Sequence, residues 1–291
     1  MKLTLDLPET LHRPLVLASH SAGISPEEYA ITCIERVLRP SSVHIPQEGD
    51  KPSSEQTLFV SAPILDLVEG LLSGTITVGE VLQHGDFGLG TLSMLNGEVV
   101  VIDGVAYQQT EKGECHIIPP ESTSPFMMVC TFSDEHSVHH TIHDVGWSDL
   151  HSALDQWLSS KNLFAAIKIK GSFSYVKVRA VRKQEHNRPL VEVTREQAIM
   201  EFHNDQEGWL VGFWSPGFLG HALSVPGYHL HFMTADYSKG GHVLDLKMDE
   251  GSVYIQTLHT LVQEFPTTSE FTTSKFESNK YASSQLKEAE S

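Results

Sequence analysis

Cysteine is scarce in this 291-residue chain: Cys33, Cys115 and Cys130 are all there is. The number is odd and no C-x-x-C pair occurs. A disulfide framework or a cysteine-built metal site is therefore not expected, and the thiols read as free in a reducing compartment. Positive charge is also short, with 20 Lys and Arg against 37 Asp and Glu and a formal net charge of −17. Such a chain repels phosphate backbones and anionic membrane surfaces, and an anionic small substrate would need a local cationic site. No run of about 18 apolar residues exists, so no membrane-spanning helix is expected. Lys2 and Asp6 fall where a secretory leader would carry its apolar run. The expectation is a cytoplasmic protein with no membrane role. Phosphate-loop signatures are missing too. Gly85-Asp86-Phe87-Gly88-Leu89-Gly90-Thr91 has neither a Walker lysine nor the G-x-G-x-x-G order, and reads as a tight turn with close backbone approach.

What the chain does have is core material and histidine. Hydrophobic residues make up 40%, enough for a globular core, and there are 17 histidines. The most informative stretch is Gly227-Tyr228-His229-Leu230-His231-Phe232, answered by Gly240-Gly241-His242. On a β-strand His229 and His231 share one face, while Leu230 and Phe232 face a core on the other. Gly240-Gly241 reads as a turn. A hairpin pairing Thr234 with Gly241 places His231 diagonal to His242, within reach of a shared ion. Three neutral imidazoles suit zinc and leave coordination positions open. The competing reading is two core histidines and one loop histidine; the third histidine behind the glycine pair favours metal.

Around this hairpin the chain reads as follows. Residues 1–40 pattern as a strand and two short helices, similar to a ribbon-helix-helix module. Its outward strand residues would be Lys2, Thr4 and Asp6, and an acid suits phosphate poorly, so an oligomerising appendage is expected rather than a DNA reader. Residues 41–56 are polar and Pro/Ser-rich, and read as a linker. Asn96-Gly97 and Asp103-Gly104 are turn signals bracketing a strand headed by Glu98, which is either a strand-end solvent residue or a site carboxylate. The five histidines between 134 and 151 read as a solvated loop before a helix near Trp157. Asn162 to Lys183 suggests two strands meeting at Gly171. Arg179, among apolar neighbours, is either a surface arginine or the cation an anionic substrate needs. Val191 to Ala198, Ile199 to Phe202 and Trp209 to Trp214 suggest strands and short connectors, a further hairpin is expected through Gly251, and Ser269 to Ser291 reads as a polar tail with a weak helix from Tyr281 to Glu290.

Several motifs together resemble the acetolactate decarboxylase family. They are Gly85 to Thr91, Asn96-Gly97-Glu98, Val178-Arg179-Ala180-Val181, Gly208-Trp209-Leu210-Val211-Gly212-Phe213, Gly227 to Phe232, and Gly240-Gly241-His242-Val243-Leu244-Asp245. They occur in the family's order from about Thr57 onward, and residues 1–56 fall outside the pattern. The resemblance implies a β-rich α/β fold: a catalytic domain over 57–291 with two β-rich subdomains, about 57–160 and 161–291. One part is a mixed sheet, the other a barrel-like antiparallel sheet, with the metal between them. It implies a homodimer or higher homo-oligomer and a 2-hydroxy-3-oxo acid substrate. The implied reaction is zinc-dependent decarboxylation of 2-acetolactate to acetoin and CO2, through a metal-stabilised enediolate protonated by a carboxylic acid. Carried over by position, His229, His231 and His242 match the zinc ligands, Glu98 a catalytic carboxylate, Arg179 a strand arginine and Thr91 a threonine lining the site. Glu290 matches a glutamate near the carboxyl end, with Glu288 as the other candidate. Where the family has a Gln-x-Lys-Pro-Tyr stretch, this chain has Gln184 to Leu190. The rival functions are a cupin-like metal-dependent oxygenase and a metabolite-sensing DNA-binding regulator.

Overall fold

Period-two alternation of apolar residues dominates the chain after Thr57, and a β-rich architecture follows from it. The structure is a computed structural model that describes residues 56–219 and 223–276, together with Leu15 and residues 25–27 and 30–31. The chain divides into two compact units, Met1–Gln47 and Glu48–Ser291. Apart from those few positions, the expected amino-terminal module lies outside the described residues, as do most of the linker and the tail helix with Glu288 and Glu290.

In the second unit the elements run β1 (Thr57–Val60), α1 (Ile64–Val68), β2 (Ile76–Thr77), α2 (Val78–Val81), β3 (Phe87–Thr91), β4 (Glu98–Ile102), β5 (Val105–Gln109), β6 (Cys115–Ile117), β7 (Thr123–Ser124) and β8 (Phe126–Cys130). There follow β9 (Val138–Gly146), α3 (Trp147–Trp157), β10 (Phe164–Ala180), α4 (Leu190–Thr194), β11 (Ala198–Ser215), β12 (Gly227–Thr234), β13 (Gly240–Leu258), β14 (Thr260–Gln263) and α5 (Ser269–Thr273). A seven-stranded sheet has the order β14-β1-β8-β3-β4-β5-β6 and is mixed, because β1 pairs with β14 in parallel and its other pairings are antiparallel. A second, antiparallel sheet has the order β10-β11-β12-β13-β9, and β13 also pairs with β10. Strands β10 to β13 therefore close on themselves, which gives the barrel-like part. The sheets interleave in sequence: β9 pairs with β13, and β14 pairs with β1. No described helix is long and apolar enough to cross a membrane.

Alternation decides what each face meets. On β4, Val100 and Ile102 join the core between the two sheets, whereas Val99 and Val101 pack with Val78 and Val81 of α2 on the other side. Glu98 has the parity of Val100, so it points toward the barrel. On β12, Leu230 and Phe232 fill the barrel interior with Phe173 and Val178, as expected, and Met233 packs between the sheets. His229 and His231 share the parity of Met233 and face the mixed sheet.

Several expectations fail, for physical reasons. The strand does not break at Gly171 or turn at Gly251. β10 runs 17 residues and β13 runs 19. Gly171 lies opposite both Gly208 and Gly251. A Cβ on Gly171 would sit 2.4 Å from the Glu250 carbonyl oxygen, so the three glycines let bent strands approach closely rather than end. His139, His140 and His143 lie on a strand, not in a loop: β9 pairs with β13, placing His139 opposite Tyr254 and His143 opposite Glu250, while His136 ends a short turn and His151 lies in the expected helix that reaches Trp157. Of the strands and short connectors expected from Val191 to Trp214, Leu190–Thr194 is a short helical connector and Ala198–Ser215 is one long strand. Gly85 to Thr91 is not a turn, because Phe87–Thr91 forms a fully buried strand.

Candidate active site

The three histidines converge between the sheets. His231 lies directly opposite His242, Phe232 opposite Gly241 and Met233 opposite Gly240. The register thus differs by two residues from the hairpin expected. A two-residue slip preserves the face, and His231 meets His242 squarely rather than diagonally. Gly240 and Gly241 begin β13 instead of forming a turn, and the turn lies in the preceding residues, where Thr234 N–H donates to Lys239 O at 2.9 Å.

All three imidazoles are buried: His229 is 7% exposed, His231 1% and His242 5%. One ligand atom from each lies within 4.8 Å of the others. The Nδ1–H of His231 donates to the Val99 carbonyl at 3.0 Å, which leaves its Nε2 a bare lone pair. That Nε2 is 3.2 Å from Nε2 of His229. Nitrogens bound tetrahedrally at about 2.0–2.1 Å to one metal are separated by about 3.3–3.4 Å, so this pair already has the spacing of shared coordination. Burial holds all three rings neutral. His229 is pushed down to about 3, first by burial and then by the Arg179 charge; His231 and His242 are lowered well below the usual range, burial again leading. Neutral imidazole is the form that binds a metal, and the residues present fit one.

Two further groups come from opposite sides. Glu98, 8% exposed, enters from the mixed sheet, with Oε2 4.0 Å from Nε2 of His231. It is a buried residue, not a solvent-facing strand end. Arg179, 3% exposed, enters from β10 with a guanidinium nitrogen 3.4 Å from His242 Nε2, and its other terminal nitrogen donates to Gln197 Oε1 at 2.8 Å. Arg179 is therefore a buried cation and not a surface residue. Thr91 lies opposite Glu98 on β3, and its hydroxyl donates to the Gly97 carbonyl at 2.7 Å, bracing the turn from which Glu98 departs.

Thr91, Glu98, Arg179, His229 and His242 line one cavity, with His231 behind His229 and His242. Thr91, Glu98, Arg179, His229 and His242 form its polar wall; Ile64, Leu67, Leu95, Phe126, Val181 and Leu190 form the apolar one. Its mixture of polar and apolar surfaces suits a small organic acid. The structure thus gathers Thr91, Glu98, Arg179, His229, His231 and His242, while Glu290 and Glu288 lie outside the described residues. The sequence reading missed Gln197, the apolar wall and Gln109. Gln109 was within reach: a two-residue turn at Asp103-Gly104 fixes the pairing that places it opposite Glu98.

Comparison with known proteins agrees over most of the chain. The family model for alpha-acetolactate decarboxylase matches residues 58–278. An alpha-acetolactate decarboxylase of Methanosarcina mazei is 37% identical over 222 residues, covering 75% of each chain. One of Brevibacillus brevis is 33% identical over 273 residues, covering 93% of this chain and 94% of its own. That alignment reaches into residues 1–56, beyond the part matched by the family model. The crystal structure of alpha-acetolactate decarboxylase from Bacillus subtilis strain 168 superposes with a TM-score of 0.76 at 28% identity, covering 80% of this chain and 99% of that one. The chain belongs to the alpha-acetolactate decarboxylase family.

Proposed function

We propose that this chain removes CO2 from 2-acetolactate to give acetoin, using zinc held by His229, His231 and His242. The observation that carries the reading is the convergence of a carboxyl and a cation, from two different sheets, on a buried cluster of three neutral imidazoles, two of which line the same cavity. Arg179 holds the substrate carboxylate, since a buried guanidinium in a chain of net charge −17 is the local attraction such an anion needs. The apolar wall takes the two methyl groups and excludes water from the reacting carbons. When the carbon–carbon bond to the carboxylate breaks, its electron pair moves toward the neighbouring ketone oxygen, giving an enediolate. Bound zinc supplies a Lewis acid that stabilises this developing negative charge. Glu98, on the side of the cavity opposite Arg179, delivers a proton to carbon, and acetoin results. Thr91 keeps the Glu98 turn rigid through its bond to Gly97. Purified, zinc-loaded protein mixed with 2-acetolactate should release acetoin and CO2 in equal amounts. Absence of acetoin overturns the reading.

A further inference from the structure

We propose that Gln109 is a positioning residue, fixing Glu98 against the histidine hairpin by bonding the mixed sheet to the strand that carries His231. The inference rests on the role given to Glu98 above. Gln109 lies opposite Glu98 on β5 and is 0% exposed. It shares a face with Tyr107, which packs in the core between the sheets, so it points from the mixed sheet toward the barrel. There its Nε2–H donates to the Phe232 carbonyl at 2.6 Å. The neighbouring residue on the same strand, His231, donates to the Val99 carbonyl of β4 at 3.0 Å. Consecutive residues of β12 are thus tied to the two residues that flank the Glu98 position, Val99 along the strand and Gln109 across it. Glu98 Oε2 then rests 4.0 Å from His231 Nε2.

Space for this bond comes from the glycine pair. A Cβ on Gly240 would fall 2.1 Å from Gln109 Nε2 and 2.3 Å from the Phe232 carbonyl oxygen. Gly240 is therefore the position that admits the amide to the back of the hairpin. A buried amide among Phe232, Tyr107 and Cys115 costs more than an apolar side chain of equal size unless its hydrogen bond is used. The use available here is the separation between a proton donor and the histidine site, for which a misplacement of about 1 Å can cost about 100-fold in rate.

The test is a double-mutant cycle on the zinc-loaded protein, combining Gln109→Met, which keeps length but removes the donor, with Glu98→Gln. Gln109→Met alone should lower kcat by about 10- to 100-fold, change KM by less than about threefold and leave zinc content unchanged. In the Glu98→Gln background the same change should cost less than about twofold, because misplacing a group that no longer transfers a proton has nothing left to lose. Equal losses in both backgrounds, or loss of zinc, overturn the proposal while leaving the Glu98 assignment standing. Full turnover by Glu98→Gln alone overturns both. If the methionine variant does not fold, Gln109→Asn, which keeps the amide one methylene short, supplies the same comparison.

Discussion

Replacing the Glu98 carboxyl by an amide keeps its size and burial but removes the transferable proton. Glu98→Gln should retain zinc and lose turnover by about 100-fold or more, the usual worth of a positioned general acid; near-parental kcat in that variant would refute the role. Asp66 offers a test of stability at the same scale. It lies on α1, 3% exposed, and its Oδ1 has no hydrogen-bond partner among the described residues. Burial raises its pKa from 3.8 to about 7. Between about pH 4 and pH 7 the native state keeps a proton that the unfolded chain releases. Stability therefore falls as pH rises through this window, and the whole penalty is present above about pH 7. Asp66→Asn should raise the unfolding free energy at pH 8 by about 1–3 kcal/mol and have little effect at pH 4, as urea titrations at the two pH values will show. These residues also mark how far sequence carries. The parity of His229 and His231, and the turn before Glu98, were legible because two-residue periodicity is local. Burial of Glu98 and Arg179 was not, because it depends on a second sheet folding over them.

At the scale of elements, glycine misled. Gly171 and Gly251 read as separate interruptions along the sequence, yet with Gly208 they form one row across adjacent strands of the barrel. Whether a glycine ends a strand or lets it bend depends on its neighbours across the sheet, and these are distant in sequence. The loop expected at His139, His140 and His143 is a strand for the same reason. Tyr254 stacks on His139 and Trp157 on His140, which makes a polar-looking segment a stable edge strand. Near the end of the described chain, Glu270 of α5 accepts from Asn187 Nδ2 at 2.6 Å, just before Pro189 and the cavity residue Leu190. The segment leading to the tail is thus anchored beside the cavity. If a tail glutamate closes over the site, removing residues 281–291 should lower kcat at least about tenfold with zinc retained. Parental rates after removal would show that the tail takes no part.

At the scale of the whole molecule, the three-histidine site, which could hold a metal ion, belongs to neither sheet alone. Its histidines come from the barrel, but the carbonyl that sets the His231 tautomer belongs to β4. Bound metal should therefore stabilise the docking of the two sheets as well as the hairpin. At a free zinc concentration 100 times its dissociation constant, binding adds about 2.7 kcal/mol, and the midpoint of thermal unfolding should rise by about 5–10 °C. Calorimetry with and without chelator measures this. His231→Ala should abolish both the rise and the bound zinc found by elemental analysis; a metal-dependent shift that survives the substitution would place the ion elsewhere. The two-part architecture itself was expected from the family resemblance, whereas composition alone pointed only to a soluble, acidic, core-forming chain.

The parallel pair of β1 and β14 has a consequence for how the protein comes into being. Thr57 lies beside Thr260, so the first strand of the mixed sheet waits for nearly the last one. On a ribosome, β1, β3 and β8 can assemble early, but the β1 edge stays open until Thr260–Gln263 have emerged. An open edge beside the apolar run Leu58-Phe59-Val60 is a template for pairing with another nascent chain. Slow completion is the kinetic consequence of pairing two strands so far apart in sequence.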